Sequence, residues 1–107
     1  MDFVAGRPPM DLTEQQVRYI QDWAERAGVV ETVRLYGSRA KGIARSDSDV
    51  NLALTVGTSH YVRFLNEWQK ELSDALILKV MLKQYNSPAD GTVRRYCDEF
   101  SVVLFPR

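Results

Sequence analysis

The sequence predicts an α+β fold, a mixed β-sheet of about four strands flanked by helices. Three observations carry that expectation. Two segments repeat apolar residues at helical spacing, Val17 to Ala27 and Tyr61 to Leu72. Several shorter segments are β-branched or alternate apolar with polar, most cleanly Asp49 to Val56. Turn residues separate the two kinds in the order α-β-β-α-β-α-β.

Residues Met1 to Met10 read as an N-terminal arm, because Pro8 and Pro9 forbid helix there. Thr13 and Gln16 form a capping-box pair, so a helix is expected to start at Glu14. Val17, Ile20, Ala24 and Ala27 give it one apolar stripe, which Tyr19 and Trp23 widen. Gly28 stops it. The β-branched run from Val29 predicts a strand that ends at Tyr36. Gly37 to Gly42 is expected to be a turn or one helical turn, and Ile43 to Ser48 a loop. Asp49 to Val56 is the second strand. Val50, Leu52, Leu54 and Val56 share one face, and Asp49, Asn51, Ala53 and Thr55 the other.

Gly57 ends that strand. Thr58 or Ser59 can cap a helix from about His60 to Ala75, with Tyr61, Leu65, Trp68 and Leu72 on its apolar side. Leu76 to Tyr85 is expected to be the third strand. Leu76, Leu78, Val80 and Leu82 lie on one face, and Ile77, Lys79, Met81, Lys83 and Tyr85 on the other. Asn86, Ser87 and Pro88 turn the chain. A short helix from Thr92 to Asp98 and a last strand from Ser101 to Phe105 complete the order.

The chain has 107 residues, which suits a single domain over 1–107. Hydrophobic residues at 45% and charged residues at 26% are those of an ordinary globular protein. A formal net charge of zero argues against a broad electrostatic grip on nucleic acid or an anionic membrane. The lone Cys97 excludes an intramolecular disulfide and a cysteine-built zinc site, and reads as a small packing residue. No apolar run approaches the roughly 20 residues that span a bilayer. The first ten residues are too short and too broken for a signal peptide, so a reducing, cytoplasmic location is expected.

The stretch YGSRAKGIARSDSDVNLAL, Tyr36 to Leu54, holds the candidate chemistry. Glycine lets backbone turn sharply and approach a ligand closely. The amides of the following turn can then hold a phosphate, and Ser38 adds a hydroxyl. Taken alone, Gly37 merely ends a strand and Ser38 caps a turn. Ten residues separate Ser38 from Asp49, enough for a loop back into a neighbouring strand. Asp49 and Asn51 lie two apart on a strand and share its non-apolar face. An acid there can hold a divalent cation beside a phosphate at Gly37 and Ser38. By itself, Asp49 is equally well a solvated strand end.

This stretch resembles the signature of the minimal nucleotidyltransferases, relatives of DNA polymerase β. Their pattern is an apolar residue, Gly-Ser, about ten residues, then Asp-apolar-Asp-apolar on the second strand. Gly37, Ser38 and Asp49 match it in type and spacing, and GSRAKG and SDSD are also typical. The likeness is specific over Leu35 to Leu54 and looser out to Val102–Phe105. It implies the nucleotidyltransferase fold and transfer of a nucleoside monophosphate from a nucleoside triphosphate, usually ATP, to a hydroxyl. It implies that Gly37 and Ser38 hold phosphate and that Asp49 is the first magnesium ligand. In the family two carboxylates on the second strand and a third on the next core strand hold two magnesium ions. The third can also act as base. Small members often occur with a helical partner protein, some as antitoxins to a helical ribonuclease.

The sequence departs from that pattern twice. Asn51 stands at the second carboxylate position and brings no charge. A unit charge pair at about 4 Å and an effective dielectric near 20 is worth about 4 kcal/mol before desolvation. A net loss of about 2–3 kcal/mol would weaken metal binding roughly a hundredfold. The third strand offers Lys79, Met81 and Lys83 where the last acid should stand, and no Asp or Glu occurs from Ala75 through Ala89. Lys79 either neutralises Asp49 across the former metal site or sits on a solvated face. Magnesium binding is therefore expected to be weakened by Asn51 and Lys79, and no cofactor is required structurally.

Other residues invite a role. Arg39, Lys41 and Arg45 make the turn basic. Arg39 is the candidate for a phosphate contact, against packing and pairing with Asp47. His60 reads as a surface residue. Arg94 and Arg95 beside Tyr96 suit a base-stacking contact or a plain helix surface. Trp23 and Trp68 suit core or partner contacts.

Two functions follow. One is a nucleotidyltransferase with impaired metal-dependent catalysis, its catalytic pair Asp49 and Asn51 and its phosphate site Gly37, Ser38 and Arg39. The other is a pseudoenzyme, an antitoxin-like module that works through a helical protein. A nucleic-acid binder ranks below both.

Overall fold

Thr13 opens the first helix by reciprocal capping. Its Oγ1 accepts from the Gln16 N–H at 3.0 Å, and Gln16 Oε1 accepts from the Thr13 N–H at 2.9 Å. This helix, α1, spans Glu14–Ala27 and ends at Gly28, whose φ of 75° favours a residue without a Cβ. The computed structural model describes residues 10–56, 61–87 and 91–107. After α1 come β1 (Val30–Tyr36), α2 (Ser38–Lys41), β2 (Val50–Val56), α3 (Tyr61–Leu76), β3 (Val80–Gln84), α4 (Thr92–Glu99) and β4 (Val102–Phe105). The N-terminal arm lies outside the described residues except for Met10, which packs against the core. The expected caps at Thr58 and Ser59, and His60, also lie outside them.

The strands form one mixed sheet in the order β3-β2-β1-β4. β1 runs antiparallel to β2 and to β4, while β2 and β3 are parallel, as an intervening helix allows. The alternation of β2 assigns its faces. Val50, Leu52 and Leu54 are fully buried against the helices α1 and α3, together with Ile20, Val33, Leu35, Leu72 and Leu82. Trp23 of α1 meets Trp68 of α3 edge to face, ring centroids 5.5 Å apart, so both tryptophans join the two helices. Ala53 points to the other face, where it packs with Tyr36 and with Cys97 of α4. The sheet is thus covered on both sides.

Helix side chains satisfy backbone groups at the outer strands. On β3, the N–H groups of Val80 and Leu82 donate to Ser73 Oγ at 3.0 Å and Gln69 Oε1 at 2.9 Å. On β4, Gln21 Nε2 donates to the Leu104 carbonyl at 2.9 Å. These contacts blunt edges that would otherwise offer unpaired ladder groups.

The largest departure from the expected boundaries is at the third strand. The third strand begins at Val80, not at Leu76. Leu76 is 6% exposed as the last residue of α3, four after Leu72, and extends the helical stripe. Ile77 then takes φ 54° and stands 87% exposed. A β-branched residue in a left-handed turn gives no glycine-like stop signal, so the apolar alternation of Leu76 and Leu78 imitates a strand. Among the described residues no helix is long and apolar enough to cross a membrane.

Candidate functional site

The site forms where β1 stops and β2 starts. Tyr36 lies opposite Asn51 in the antiparallel ladder, so Gly37 continues past Asn51 toward Asp49. Gly37 has φ 85° and ψ −160°, a region that essentially only glycine occupies. A Cβ built there would lie 2.9 Å from Asn51 Nδ2. Glycine is required twice, by the backbone angle and by the amide packed against it.

Past Gly37 the chain makes the short helix α2. The N–H groups of Ala40 and Lys41 donate to the Gly37 carbonyl at 3.1 and 3.2 Å. Ser38 and Arg39 therefore present their amides at the open end of the turn. Gly42, at φ 74°, ends it.

Asp49 is half-buried one residue before β2, and the following Val50 N–H donates to the Lys79 carbonyl at 2.8 Å. Asp49 and Asn51 face away from the α1–α3 core because Val50 and Leu52 face into it. Gly37, Asn51 and Asp49 thus share one end of the sheet and one side of it. Lys79 is exposed, and among the described residues no ion pair joins it to Asp49. Of the two readings of Lys79, the structure shows the solvated face and not the neutralisation of Asp49. Lys79 sits on a solvated lead-in to an edge strand, where water is the better partner for an ammonium. In register, Asn51 stands beside Met81 and Ala53 beside Lys83. Among the described residues no group of three or more His, Cys, Asp or Glu is placed to hold a metal ion.

Arg39 turns away from this end. It is 7% exposed, and its guanidinium donates to four main-chain carbonyls. Nε reaches Ser48 at 3.0 Å, Nη1 reaches Asp11 at 2.9 Å, and Nη2 reaches Arg45 at 3.4 Å and Ser46 at 3.3 Å. Asp11 completes the clamp, its N–H donating to the Arg39 carbonyl at 2.8 Å and its Oδ2 accepting from the Ala44 N–H at 2.8 Å. These carbonyls take the guanidinium that the sequence offers to a phosphate or, alternatively, to Asp47. The structure places Arg39 as the organiser of the loop that delivers Asp49.

A cleft of ≈ 310 Å³ opens beside Gly37. Gly37, Asn51 and Lys41 form its polar end, and Tyr36, Tyr96 and Phe100 line the rest with Glu99. Tyr96 and Phe100 are 53% and 39% exposed. Burial, aided by Cys97 and Tyr96 nearby, raises the pKa of Tyr36 and keeps its phenol protonated. Burial likewise pushes the Cys97 thiol up, against the lowering effect of Arg34. The helix α4 that carries this wall is pinned to the sheet. Tyr85 OH donates to Asp98 Oδ1 at 2.8 Å, which raises the Tyr85 pKa, and the Arg34 guanidinium lies 4.6 Å from the Tyr85 ring. The sequence alone does not point to Tyr36, Glu99 or Phe100 as cleft residues. The available signal was Tyr96 and Phe100 at i and i+4, flanking the single buried turn of a short helix.

The polymerase beta nucleotidyltransferase family matches this chain over residues 18–107. No curated protein sequence matches it. Among solved structures it is similar to a toxin–antitoxin complex with AMP-PNP, at TM-score 0.73 and 19% identity over 90% of this chain and 75% of that one. A mutant of the toxin–antitoxin MntA-HpeT aligns at TM-score 0.73 and 18% identity, with the same coverage. A second mutant of that pair aligns at TM-score 0.71 and 18% identity, over 91% of this chain and 75% of that one. With the family matched from α1 to the last residue and the same fold in these structures, the chain belongs to the polymerase beta nucleotidyltransferase family.

Proposed function

We propose that this chain binds a nucleoside triphosphate, ATP by preference, with its phosphates at Gly37 and Ser38. Nucleotidyl transfer from it to a protein or small-molecule hydroxyl is impaired. The observation that carries this reading is the packing of Gly37 against Asn51, with Asp49 two residues away on the same face. The Ser38 and Arg39 amides and the Lys41 ammonium supply donors and charge for phosphate. Transfer joins the acceptor oxygen to the α-phosphorus and releases pyrophosphate. The acceptor's proton then has no third-strand carboxylate to receive it, because Met81 stands beside Asn51. Asp49 is the carboxylate that would hold a single magnesium ion together with the nucleotide's phosphates. Such an ion would offset phosphate charge.

A second reading, an antitoxin-like module that acts through a helical protein, draws support from similar solved structures that are toxin–antitoxin complexes, one with AMP-PNP. The first reading requires the nucleotide site, whereas the second needs only the fold and a surface for its partner.

Calorimetry with ATP, with and without magnesium, separates them on the wild type, Ser38→Ala and Asp49→Asn. Magnesium-dependent binding lost in both variants supports the transferase reading. Binding independent of magnesium supports a phosphate-binding remnant. No binding leaves the interaction module. Asn51→Asp restores a charge and is expected to strengthen magnesium-dependent binding by up to about a hundredfold.

A further inference from the structure

The cleft beside Gly37 is lined by the Gly37 turn with Asn51 and Lys41, and beyond it by aromatic side chains together with the Glu99 carboxylate. Its other end is built by α4, a helix that contributes nothing to the Gly37–Asn51 contact. Cys97 faces the sheet and is 4% exposed, which turns Tyr96 outward. Phe100 follows α4 in extended conformation, its N–H donating to the Tyr96 carbonyl at 3.1 Å. That bond holds the two aromatic residues at one corner of the cleft. The pair is left 53% and 39% exposed, so both rings offer apolar surface to whatever enters the cleft.

We propose that Tyr96 and Phe100 form the wall on which the base of the bound nucleotide stacks. The inference rests on the nucleotide reading above and adds the part of the ligand that the phosphate cradle does not touch. Three observations carry it. The aromatic corner and the Gly37–Asn51 turn line one continuous cleft. Its volume, ≈ 310 Å³, lies at the small end of the range for small-molecule pockets. The lining combines the Lys41 ammonium and the Gly37 turn with aromatic rings, as a nucleotide combines phosphate with base, and includes one carboxylate, Glu99. Stacking reads the π-face of a base and little else, so the wall contributes affinity for ATP and GTP alike. Tyr85, Asp98 and Arg34 hold α4 on the sheet, so the wall stands in place before ligand arrives.

The test compares ATP, GTP and inorganic tripolyphosphate by calorimetry on the wild type, Tyr96→Ala, Phe100→Ala and Tyr96→Phe. Circular dichroism verifies that each variant is folded. The expected result is a loss of about tenfold to a hundredfold in ATP and GTP affinity for each alanine variant, with tripolyphosphate unchanged and Tyr96→Phe close to wild type. ATP binding that is unchanged in both alanine variants overturns the base wall and leaves the phosphate cradle standing. Equal losses for ATP and tripolyphosphate also overturn it, since the base then contributes nothing of its own. A wild type that binds none of the three ligands overturns the nucleotide reading and the wall with it.

Discussion

Gly37→Ala is the substitution whose effect can be worked most directly from the structure. The native backbone at 37 has φ 85° and ψ −160°. Holding a residue with a Cβ there costs about 1–3 kcal/mol of strain. The added methyl would also lie 2.9 Å from Asn51 Nδ2, closer than real contacts allow. Moving that amide aside in a packed corner costs about 1 kcal/mol more, the low end of overpacking penalties. The expected total is about 2–4 kcal/mol, which lowers a urea midpoint by roughly 1–3 M. The two parts separate in a double-mutant cycle. Asn51→Ala in the Gly37→Ala background removes the clash and not the strain, so it should recover about 1 kcal/mol. A Gly37→Ala protein within about 0.5 kcal/mol of wild type would refute the backbone argument. A full loss with no coupling to Asn51 would refute the contact between the two strand ends.

Other predictions follow from the same geometry. Ile77→Gly relieves a left-handed turn at φ 54° and removes a side chain that is 87% exposed. After the entropic cost of glycine, urea unfolding should show a net gain of about 0.5–1 kcal/mol, and a loss would contradict the turn. Arg39→Lys cannot reproduce a planar fork that serves four carbonyls. It should cost about 2–3 kcal/mol and speed hydrogen exchange across residues 43–48, and unchanged exchange there would remove the clamp. Burial raises the folded pKa of both Cys97 and Tyr36 above their unfolded values. Their stabilisation is therefore complete at lower pH and is lost as pH rises through the folded values. Urea midpoints should decline from about pH 9 upward, and Cys97→Ala should flatten the first part of that decline.

Much of the fold was legible because local chemistry and tertiary packing agree. Thr13 with Gln16 and the glycine at 28 mark the ends of α1 by mechanisms confined to a few residues. The alternation in β2 assigns its faces correctly, since one side packs on two helices and the other on α4. The sequence makes the third strand too long because Leu76 and Leu78 alternate in a helix end and a turn, and Ile77 hides the stop. Gly37, Ser38, Asp49 and Asn51 were visible as a group because their spacing reports a strand, a turn and a return strand. Arg39 was not legible. A basic residue in a basic turn looks solvated until the loop folds over it and spends its donors on carbonyls. The sequence points to base stacking beside Tyr96, but not to Phe100 or to a place next to Gly37. Tyr96 and Phe100 are distant in sequence from Gly37, and only the placement of α4 on the sheet brings them to one corner.

The most direct test of the shared site is an amide chemical-shift map of the protein titrated with ATP. The account predicts that the largest shifts fall on Gly37, Ser38, Asn51, Tyr96 and Phe100, with α1 and α3 little changed. Shifts confined to the α1–α3 face, or none at saturating ATP, would contradict it.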